Sequence, residues 1–462
     1  MLYILNEECS LRGWKNIPYS IEFETSPRSP LPIDRELAEK LSAPLEYGEG
    51  DPRMDSLIRQ GILVPCGQDH ALSPGQRYRD YGCLHFDSVI FSITGRCNYR
   101  CMHCSVNAPE SPAPETPLPR ICQLLDEMKE CGLKNVVLIG GEPLIHKDFL
   151  RIVDEVTVRG MFITEIFTNG SLVTPSLLDE LERRCIRTTF MLSFDGVGYH
   201  DRMRGVPGAE ENFDQCVRLL RQRQFQVTCN MCITRESVHT IWPTIEKLSA
   251  MGVSSLTVYP PVECGLWADK AETMGVTTEM IGEEYPKVIE RFVAAGYPLN
   301  LNLYGMAFFS SAFRKYALTP KWRNMGTDPD RTPACVTFAS ELNISPEGIL
   351  SPCYALMSDE YVRREMPNLR RMSLKQALTD SAFTRIMEIT QGDVRRHNDK
   401  CASCEYFAMC GGGCRLNAFK QNGDFMGYDP RMCEFFGNGF DQKFREAIRR
   451  GKQQREQNRK EC

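Results

Sequence analysis

Apolar strands alternate with amphipathic helices six times between residues 86 and 262, and this alternation constrains the fold more than any other feature. The apolar residues between the strands follow helical spacing, as in Ile121–Cys131. Alternating strands and helices form a parallel sheet with right-handed crossovers. Six units predict an α/β fold, a partial (β/α)6 barrel, with functional loops at the C-terminal strand ends. The predicted strands are Asp87–Thr94, Asn135–Ile139, Phe162–Thr168, Thr188–Phe194, Gln226–Thr234 and Ser254–Tyr259.

The first 85 residues do not follow this alternation. They contain a predicted strand at Met1–Leu5, helices around Asp34–Leu41 and Met54–Gln60, and a further strand at Ile62–Val64. This order resembles a small winged-helix unit. A capping role and a recognition role are equally compatible with it, because a fold alone does not define a function.

The C-terminal third also departs from the alternation, because cysteines and glycine-rich loops become dense there. The last stretch, Asp441–Cys462, has eight Lys or Arg and four Asp or Glu, and predicts a basic helical tail with a solvated face. We therefore predict four regions: a winged-helix-like unit at 1–85, a core barrel at 86–305, a cysteine-rich domain at 306–440 and the tail at 441–462.

The amino-acid composition excludes several classes of protein. The 462 residues are 42% hydrophobic and 25% charged, which is ordinary for a globular protein and excludes disordered and fibrous classes. The formal net charge of −5 gives no electrostatic support for nucleic-acid binding. No apolar run approaches the roughly 18 residues of a membrane span, and the N-terminus, with Glu7 and Glu8, lacks the basic cluster of a signal peptide. We expect a cytoplasmic protein without a membrane partner.

Cysteine is unusually abundant, with 21 in 462 residues. A reducing cytoplasm keeps disulfides rare, so abundant cysteine there indicates metal ligation or catalysis. Cys97, Cys101 and Cys104 follow the first predicted strand with the spacing C-x3-C-x2-C. Three thiolates on one loop can hold three irons of a cubane cluster and leave the fourth iron open, whereas a structural zinc ion takes four ligands.

Further motifs stand at the ends of the next strands. The second strand runs into Gly140-Gly141-Glu142-Pro143, the third ends in Thr168-Asn169-Gly170, and the fourth ends in Ser193-Phe194-Asp195-Gly196, followed by His200–Gly205. Together with the three cysteines, these motifs resemble the radical S-adenosylmethionine (radical SAM) enzymes, from Ser88 to about Val262. The resemblance implies a [4Fe–4S] cluster and reductive cleavage of S-adenosylmethionine. The 5′-deoxyadenosyl radical then takes a hydrogen atom from a substrate carbon.

The resemblance also implies roles for individual residues. S-adenosylmethionine is expected to chelate the open iron through its amino and carboxylate groups. Gly140 and Gly141 lack a Cβ and admit its methionyl part. Glu142 accepts hydrogen bonds from its ammonium group, a charge-assisted contact. The alternative interpretation of Glu142 is a charge at a helix N-terminus.

Four more residues are assigned to the cofactor site by the same resemblance. Arg204 is expected to pair with the cofactor carboxylate and Ser193 to donate to it. His103 stands where the family usually has an aromatic residue beside the adenine, and Asn169 belongs to the motif after the third strand. A surface salt bridge is the alternative interpretation of Arg204. The sequence identifies no catalytic acid or base.

A second set of cysteines lies in the C-terminal third, with the spacings C-x12-G-x4-C and C-x2-C-x5-C-x3-C, and one more cysteine eighteen residues on. This pattern resembles the SPASM extension of radical SAM enzymes, which carries two auxiliary iron–sulfur clusters, and paired zinc knuckles are the alternative. The resemblance implies that one cluster is held by Cys401, Cys404, Cys410 and Cys433. The same resemblance implies that the other is held at three corners by Cys335, Cys353 and Cys414.

The fourth ligand of the second auxiliary cluster is not evident. The stretch Gly326–Pro333 contains no cysteine. The candidates are Cys264 on the loop after the sixth strand, an acid such as Asp328 or Asp330, and an open site that binds substrate.

Six other cysteines lie in the predicted helices and strands of the barrel and are expected to be small core hydrophobes. They are Cys122, Cys131, Cys185, Cys216, Cys229 and Cys232.

The SPASM resemblance implies an enzyme that modifies a peptide or protein. The first hypothesis is a maturase that forms a thioether or carbon–carbon crosslink in a ribosomally made peptide, with flavodoxin or ferredoxin as the reductant. An anaerobic sulfatase-maturating enzyme is the second hypothesis, although those enzymes have Asp directly after the second SPASM cysteine and this chain has Tyr354. A non-enzymatic electron-transfer or zinc protein would explain the cysteines but not Gly140–Pro143.

Overall fold

The computed structural model describes residues 1–108, 115–303, 305–318 and 328–461. Gly326 and Cys462, named above, lie outside these ranges. None of the helices within them is both long and apolar enough to cross a membrane.

Residues 1–85 form two small sheets and two helices. The elements are β1 (Leu2–Leu5), β2 (Cys9–Gly13), β3 (Ser20–Phe23), β4 (Leu31–Pro32), α1 (Arg35–Lys40), β5 (Leu45–Glu46), α2 (Pro52–Arg59), β6 (Leu63–Pro65) and β7 (Arg79–Asp80). One sheet has the order β5–β1–β6 and the other β4–β3–β2–β7. The predicted helices are present, whereas β2 and β3 were not predicted, because Arg12 and Glu22 interrupt their apolar pattern.

The N-terminal unit has a hydrophobic core of its own. Leu11 and Ile21 from its strands and Leu57 from α2 belong to that core. Trp14 instead packs into the core of the barrel and donates a hydrogen bond from its indole nitrogen to the carbonyl of Cys131 at 2.8 Å. The unit is therefore attached to the barrel through a buried aromatic side chain.

The central region consists of parallel strands and covering helices. Its elements are β8 (Ser88–Ser92), α3 (Leu118–Glu130), β9 (Asn135–Ile139), α4 (Phe149–Val158), β10 (Phe162–Thr168), α5 (Pro175–Arg183), β11 (Thr189–Ser193), α6 (His200–Arg204), α7 (Ala209–Gln222), β12 (Gln226–Cys232), α8 (Ile241–Ala250), β13 (Ser255–Tyr259), α9 (Ala271–Met274), α10 (Thr278–Ala294), β14 (Asn300–Leu303), β15 (Ala307–Ser310) and β16 (Lys315–Leu318). All six predicted strands are present, and their ends differ from the prediction by at most two residues.

The C-terminal region is built mainly of short helices. Its elements are α11 (Val336–Ser340), β17 (Glu341–Ile344), β18 (Leu350–Ser351), α12 (Glu360–Glu365), α13 (Leu374–Thr379), α14 (Ala382–Met387), α15 (Gln391–His397), α16 (Asp399–Ala402), α17 (Phe407–Cys410), α18 (Arg415–Asn422), α19 (Pro430–Gly437) and α20 (Phe440–Glu461).

One sheet joins the central and C-terminal regions. Its order is β16–β15–β14–β13–β12–β11–β10–β9–β8–β17–β18, so β16 and β18 are its ends and the barrel is open, as predicted. Strand β14 adds a seventh parallel strand, and β17 pairs in parallel with β8. These two strands were not predicted, because each is only four residues long, too short to show a period.

The two faces of this sheet differ in composition. The outer face carries side chains such as Val89, Phe91 and Leu138, which are buried in one core with the helices. Successive strand residues point to opposite faces, so the alternate positions face the space enclosed by the sheet, called the lumen here. On β11 to β14 these positions are mostly polar: Thr189, Met191, Ser193, Thr228, Asn230, Ser255, Thr257, Asn300 and Asn302.

The basic tail is a helix with a solvated face, as predicted, and the other face of its first half is buried. Phe440, Phe444 and Ile448 of α20 are buried in the main core. The ring of Phe444 lies 6.2 Å from that of Tyr285 in α10. Phe440, Phe444 and Ile448 are spaced four residues apart and therefore form an apolar stripe along one side of the helix. The high charge of the segment hides this stripe in the sequence.

Four of the six cysteines expected in the core are buried, and two are not. Cys122 is partly buried, and Cys185 is exposed. Cys185 lies just past the end of α5 with a φ of 55°, so it belongs to a turn rather than to a helix or strand.

Candidate active site and cluster sites

The loop after β8 places Cys97, Cys101 and Cys104 next to one another. Burial raises the pKa of Cys97 to about 12, and the charges of Glu142, Cys101 and Cys104 add to this effect. Burial also raises the pKa of Cys101, while the charge of Arg204 opposes the shift. The three thiols therefore form one group at the C-terminal end of a barrel strand, where active sites of such barrels lie.

Each of the three sulfur atoms accepts a hydrogen bond from a nitrogen. The backbone N–H of Tyr99 donates to Cys97 Sγ at 3.4 Å, and that of Ala108 donates to Cys104 Sγ at 3.3 Å. Arg204 Nη1 donates to Cys101 Sγ at 3.6 Å. Donors of this kind stabilise thiolates more than thiols, since the acceptor is then charged.

Gly140 and Gly141 bring the loop after β9 against the cysteine loop. A Cβ on Gly140 would lie 2.6 Å from the carbonyl oxygen of Thr94, and one on Gly141 would lie 2.3 Å from that of Arg96. Any larger residue would push the two loops apart. The described contacts of these glycines are therefore with the cysteine loop itself, and access for a methionyl group stays a prediction.

Glu142 is fully buried and joins two of the sequence motifs. Its carboxylate accepts hydrogen bonds from Thr168 Oγ1 at 2.8 Å, from the Asn169 backbone at 2.8 Å and from the Leu144 backbone at 3.2 Å. Burial raises the pKa of Glu142 to about 7, although these three donors oppose the shift. The bond to Leu144 caps a short 3-10 helix, so the helix-charge interpretation describes part of its role.

Arg204 is not a surface residue, because its guanidinium makes a buried, two-point ion pair with Asp195. The Nε–Oδ2 distance is 2.7 Å and the Nη2–Oδ1 distance is 3.0 Å. Burial raises the pKa of Asp195, but the charges of Arg204, His103 and His200 and the backbone N–H of Cys232 together hold this pKa below its ordinary value. Arg204 thus connects Asp195 at the end of β11 to the sulfur of Cys101.

His103 lies on the other side of the same carboxylate. Its Nε2 is 3.7 Å from Asp195 Oδ2, and burial lowers its pKa to about 4, so the ring is neutral. The structure therefore groups His103 with Asp195 and Arg204, and a position beside the adenine stays a prediction.

Ser193 and Asn169 stand on the rim of the lumen. Ser193 ends β11, and its hydroxyl makes no hydrogen bond to the described residues, so it is available to a ligand. The side chain of Asn169 donates to Asn98 Oδ1 at 2.8 Å and accepts from Ser171, which ties it to the cysteine loop. These contacts give Asn169 a role in holding the loop.

The three-cysteine group fits a [4Fe–4S] cluster. It offers three soft sulfur ligands on one loop, and Arg204 supplies a buried cation beside them. Burial raises the pKa of Cys97 and of Cys101, so a bound iron is needed to favour their thiolate form. The residues that would hold the cluster are therefore Cys97, Cys101 and Cys104.

The seven C-terminal cysteines fall into two groups in the structure. The charge of Cys414 and that of Cys335 raise the pKa of Cys353 beyond the effect of burial, so these three sulfurs are neighbours. The charges of Cys433 and Cys404 raise the pKa of Cys401 in the same way. The charge of Cys401 in turn raises the pKa of Cys410. The structure thus brings together the same two sets that the SPASM resemblance implies.

Two charged residues that the sequence did not single out lie between these groups. Asp429 accepts a hydrogen bond from the backbone N–H of Cys414 at 2.8 Å, and its charge raises the pKa of Cys410 and Cys414. Arg415 is buried and donates to the carbonyl oxygens of Phe425 and Gly427 at 3.0 and 2.9 Å. The sequence did not single out either residue, because neither belongs to a motif. Arg415 directly follows Cys414, and Asp429 lies between Cys414 and Cys433.

The candidates for the fourth auxiliary ligand are widely separated. Cys264 is buried and donates from Sγ to the carbonyl of Ala355 at 3.1 Å, and the charge of Cys104 raises its pKa. Asp328 and Asp330 are exposed, and Asp330 pairs with Arg396. Cys264 is therefore the candidate that lies between the cysteine loop and the Cys353 segment.

Tyr354 is a site residue whose position the sequence did not indicate. Its ring packs against Ile90, Val137 and Ile139 on the inner face of the sheet. Burial raises its pKa, and the charges of Cys104, Cys97, Cys264 and Cys101 raise it further. The residue after Cys353 therefore enters the barrel and faces the three-cysteine loop.

Two family models match the chain. The model of the radical SAM superfamily matches residues 91–248. The model of the SPASM iron–sulfur cluster-binding domain matches residues 335–405.

The chain is similar to curated enzymes with two kinds of name. An AdoMet-dependent heme synthase of Nitratidesulfovibrio vulgaris is 24% identical over 376 residues, which cover 79% of this chain and 97% of the relative. A PqqA peptide cyclase of Granulibacter bethesdensis is 24% identical over 359 residues, covering 74% of this chain and 86% of the relative.

Among solved structures, Streptococcus suis SuiB bound to its precursor peptide SuiA aligns with a TM-score of 0.66 and 16% identity, and the alignment covers 94% of this chain and all of that one. At this identity the likeness concerns the fold. The two family models and the enzyme relatives confirm the resemblance inferred from the motifs. The chain is an enzyme that carries a radical SAM domain, which implies a [4Fe–4S] cluster with S-adenosylmethionine, and an iron–sulfur cluster-binding SPASM domain.

Proposed function

We propose that the enzyme matures a ribosomally made peptide by forming a thioether or carbon–carbon crosslink. When bound, the cluster and S-adenosylmethionine supply a 5′-deoxyadenosyl radical that removes a hydrogen atom from a substrate carbon. The residues of this chain hold the cofactors and substrate and exclude water. Flavodoxin or ferredoxin is the proposed reductant.

The observation that carries this proposal is the extent of the likeness to SuiB. Residues 86–462 are 377 of the 462 residues, or about 82% of the chain, whereas the alignment with SuiB covers 94%. The likeness therefore extends into the N-terminal unit. The SuiB structure contains a bound precursor peptide, which supports a peptide substrate for this chain.

The N-terminal sheet offers a suitable surface for an extended peptide. Its order β5–β1–β6 leaves β6 (Leu63–Pro65) as an edge, and a peptide strand can add to such an edge through main-chain hydrogen bonds. Pro65 shortens this edge, because proline has no N–H to donate. We therefore expect recognition of a short extended segment of the leader.

The heme synthase relatives favour a second candidate, a reaction on a porphyrin. Porphyrin precursors of haem carry carboxylate side chains. Glu165, on the inner face of β10, is a carboxylate that would repel such groups. The charge of the lumen thus supports the peptide over the porphyrin.

The proposal is tested by incubating the reconstituted enzyme, without oxygen, with S-adenosylmethionine, reduced flavodoxin and candidate peptides taken from short reading frames beside its gene. We expect a product lighter by a pair of hydrogen atoms, formed in step with 5′-deoxyadenosine. A parallel reaction contains an iron porphyrin, and a third contains a sulfatase-derived peptide. Conversion of either of these with no change in any candidate peptide would overturn the proposal.

A further inference from the structure

Three polar residues form a row across the inner face of the sheet, on strands β12, β13 and β14. The register pairs Asn230 with Thr257, and Thr257 with Asn302. Residues paired in neighbouring strands point to the same face of the sheet. The residues that follow the first two along their strands, Met231 and Val258, are buried in the outer core with the helices. Asn230, Thr257 and Asn302, called the polar row here, therefore face the lumen.

The side chains of the polar row have no partner within the part of the chain that the structure describes. Neither the two side-chain amides nor the hydroxyl of Thr257 makes a hydrogen bond to a described residue. Asn302 is only 6% exposed. Buried polar groups in native proteins are almost always hydrogen-bonded. A nearly buried amide that is unpaired and faces an internal space indicates a ligand from outside the chain.

Two residues one level below the polar row show the contrast. Asn300, two residues before Asn302 on β14, accepts hydrogen bonds at Oδ1 from the backbone N–H of Ser311 at 2.9 Å and from its hydroxyl at 3.0 Å. Thr228 on β12 donates from its hydroxyl to Met191 Sδ at 3.1 Å. Asn300 and Thr228 are thus tied to the chain itself, whereas the polar row is open to a ligand.

The wall that carries the polar row is neutral. The inward positions of β11 to β14 carry no charged side chain. A side-chain amide and a hydroxyl each donate and accept hydrogen bonds. A peptide group does the same, because it donates from its N–H and accepts at its C=O. The polar row therefore matches a peptide backbone better than it matches an anion or a cation.

The polar row lies directly below the residues that contact the cysteine loop. Asp195 Oδ1 accepts hydrogen bonds from the backbone N–H of Cys232 at 3.1 Å and from Arg204 Nη2 at 3.0 Å. Arg204 in turn donates to Cys101 Sγ at 3.6 Å. Asn230 stands two residues before Cys232 on the same strand, which is a distance of about 7 Å at the rise of a β-strand. A ligand on the polar row is therefore close to the cysteine loop.

Ser193 places the cofactor and the substrate at opposite ends of this row. It pairs with Asn230 in the register of β11 and β12, and it is the residue expected to donate to the cofactor carboxylate. Asn302 lies at the other end, two strand spacings or about 10 Å from Asn230. That length corresponds to about three residues of an extended chain.

We propose that the polar row binds the main chain of the substrate peptide through hydrogen bonds to its peptide groups, and so presents a segment of about three residues to the cofactor. The inference rests on the peptide function proposed above. It names the part of the substrate that the barrel recognises, which is the peptide backbone rather than a charged side chain.

The first test needs no natural substrate. The cluster-loaded enzyme with S-adenosylmethionine is titrated with N-acetyl-triglycine N′-methylamide, an uncharged chain of peptide groups, and binding is followed by saturation-transfer NMR. We expect Asn302→Leu to weaken binding at least about fivefold, since a buried hydrogen bond is lost. Asn458→Leu, the same change on the exposed surface of α20, should bind as the wild type does. Equal binding to the wild type and to Asn302→Leu, or no binding to the wild type, overturns the proposal.

The stability of the ligand-free enzyme tests whether Asn302 has a structural role instead. Its amide has no partner among the described residues, so Asn302→Leu should leave the melting temperature unchanged or raise it. If this variant loses iron or melts earlier, Thr257→Val, which replaces only the hydroxyl by a methyl group, decides the binding test with the same expected direction. A weaker affinity for S-adenosylmethionine in either variant would assign the polar row to the cofactor and overturn the proposal.

The second test uses a candidate peptide that the enzyme modifies, with its amides replaced one at a time by esters. An ester keeps the side chains and removes one N–H donor. We expect one replacement to lower kcat/KM at least about fivefold with the wild type, and much less with Asn302→Leu. If no ester changes kcat/KM, recognition of the main chain is overturned and the proposed function stands. If no peptide is modified but binding of the triglycine probe depends on Asn302, the polar row stands and the proposed function fails.

Discussion

The cysteine loop after β8 and the C-terminal cysteines hold their ligand groups in different ways. The first set spans eight residues, from Cys97 to Cys104, and two of its sulfurs accept hydrogen bonds from the backbone near their own loop. The second set spans 99 residues, from Cys335 to Cys433. Its two groups are brought together by helices and by polar contacts such as Asp429 with Cys414.

The cysteine loop after β8 therefore concerns the chemistry of the enzyme, and the C-terminal cysteines concern the fold of a whole region. The first group is a local feature of one strand end, and Glu142 arrives there from the loop after β9, Asp195 from the loop after β11 and Arg204 from α6. The second group depends on the fold of an entire region. We therefore expect changes in the first group to remove activity while the fold persists, and we expect changes in the residues between the regions to have smaller effects.

The largest expected effect is that of replacing Cys97, Cys101 and Cys104 together by Ala. Three cubane clusters amount to about 12 Fe per chain, so the variant should lose about one third of the iron and all cleavage of S-adenosylmethionine. Iron analysis measures the loss of iron, and an assay of 5′-deoxyadenosine measures the loss of cleavage. A loss of nearly all the iron would show that the two regions are not independent. Stoichiometric zinc with little iron in protein purified without oxygen would contradict iron–sulfur clusters in either region.

Replacing Glu142 by Gln should weaken S-adenosylmethionine binding by about 1.5–3 kcal/mol, or roughly 10- to 150-fold, while all the iron is retained. The physical reason is the loss of a charge-assisted hydrogen bond to the ammonium group. An acid with a pKa raised to about 7 carries its charge only above that pH. Binding to the wild type should therefore weaken as the pH falls through 7.

The affinity for S-adenosylmethionine is measured at several pH values in each variant. Glu142→Gln should lack this pH dependence, and the control variant Glu130→Gln, on the exposed surface of α3, should keep it. An affinity unchanged in Glu142→Gln would mean that the carboxylate serves only to join the loops at Leu144, Thr168 and Asn169.

Replacing Tyr354 by Phe tests the residue through which the C-terminal region enters the barrel. The ring would keep its packing on Ile90 and Val137, so iron content and thermal stability should not change. Loss of the hydroxyl should lower product formation by about tenfold, the effect of one hydrogen bond, with S-adenosylmethionine cleavage less affected. Tyr316→Phe, on the exposed strand β16, is the matched control. A parallel fall in cleavage and product would assign Tyr354 to the cofactor rather than to the substrate.

The smallest effect is expected from replacing Cys264 by Ala. Its thiol donates to the Ala355 carbonyl and lies near Cys104, so we predict that it binds no iron and that the fourth corner of the Cys335 cluster holds an exchangeable ligand. Iron content and paramagnetic resonance spectra without substrate should equal those of the wild type. Adding a cysteine-containing peptide should change the spectrum of both proteins. Loss of one cluster in the variant would make Cys264 the fourth ligand.

Much of the fold was predictable from local patterns. The six strands from β8 to β13 were predicted to within two residues at each end, because each has a continuous or alternating apolar pattern and a helical segment after it. Strands β14 and β17 were not, because four residues are too few to show a period. The burial of α20 was missed, since three apolar side chains decide its packing while its charges dominate its composition.

The candidate site was predictable as a set of positions and not as a set of contacts. The motifs of Glu142 and Asn169 were found separately, and only the folded chain shows the carboxylate of one accepting the N–H of the other. Asp195 appeared in a motif without a role, and the structure pairs it with Arg204. Asp429 carried no signal, and Tyr354 was noted only as a departure from the sulfatase-maturating pattern, without a position in the site.

The sequence by itself determined the kind of fold, the family and the residue types that hold the clusters, because period, motif order and cysteine spacing are written along the chain. Only the tertiary structure decided that Asn230, Thr257 and Asn302 form one row in the lumen. Their positions differ by up to 72 residues, and only the register of β12, β13 and β14 places them side by side. Register depends on long-range pairing and packing across the whole sheet, which local sequence patterns do not specify.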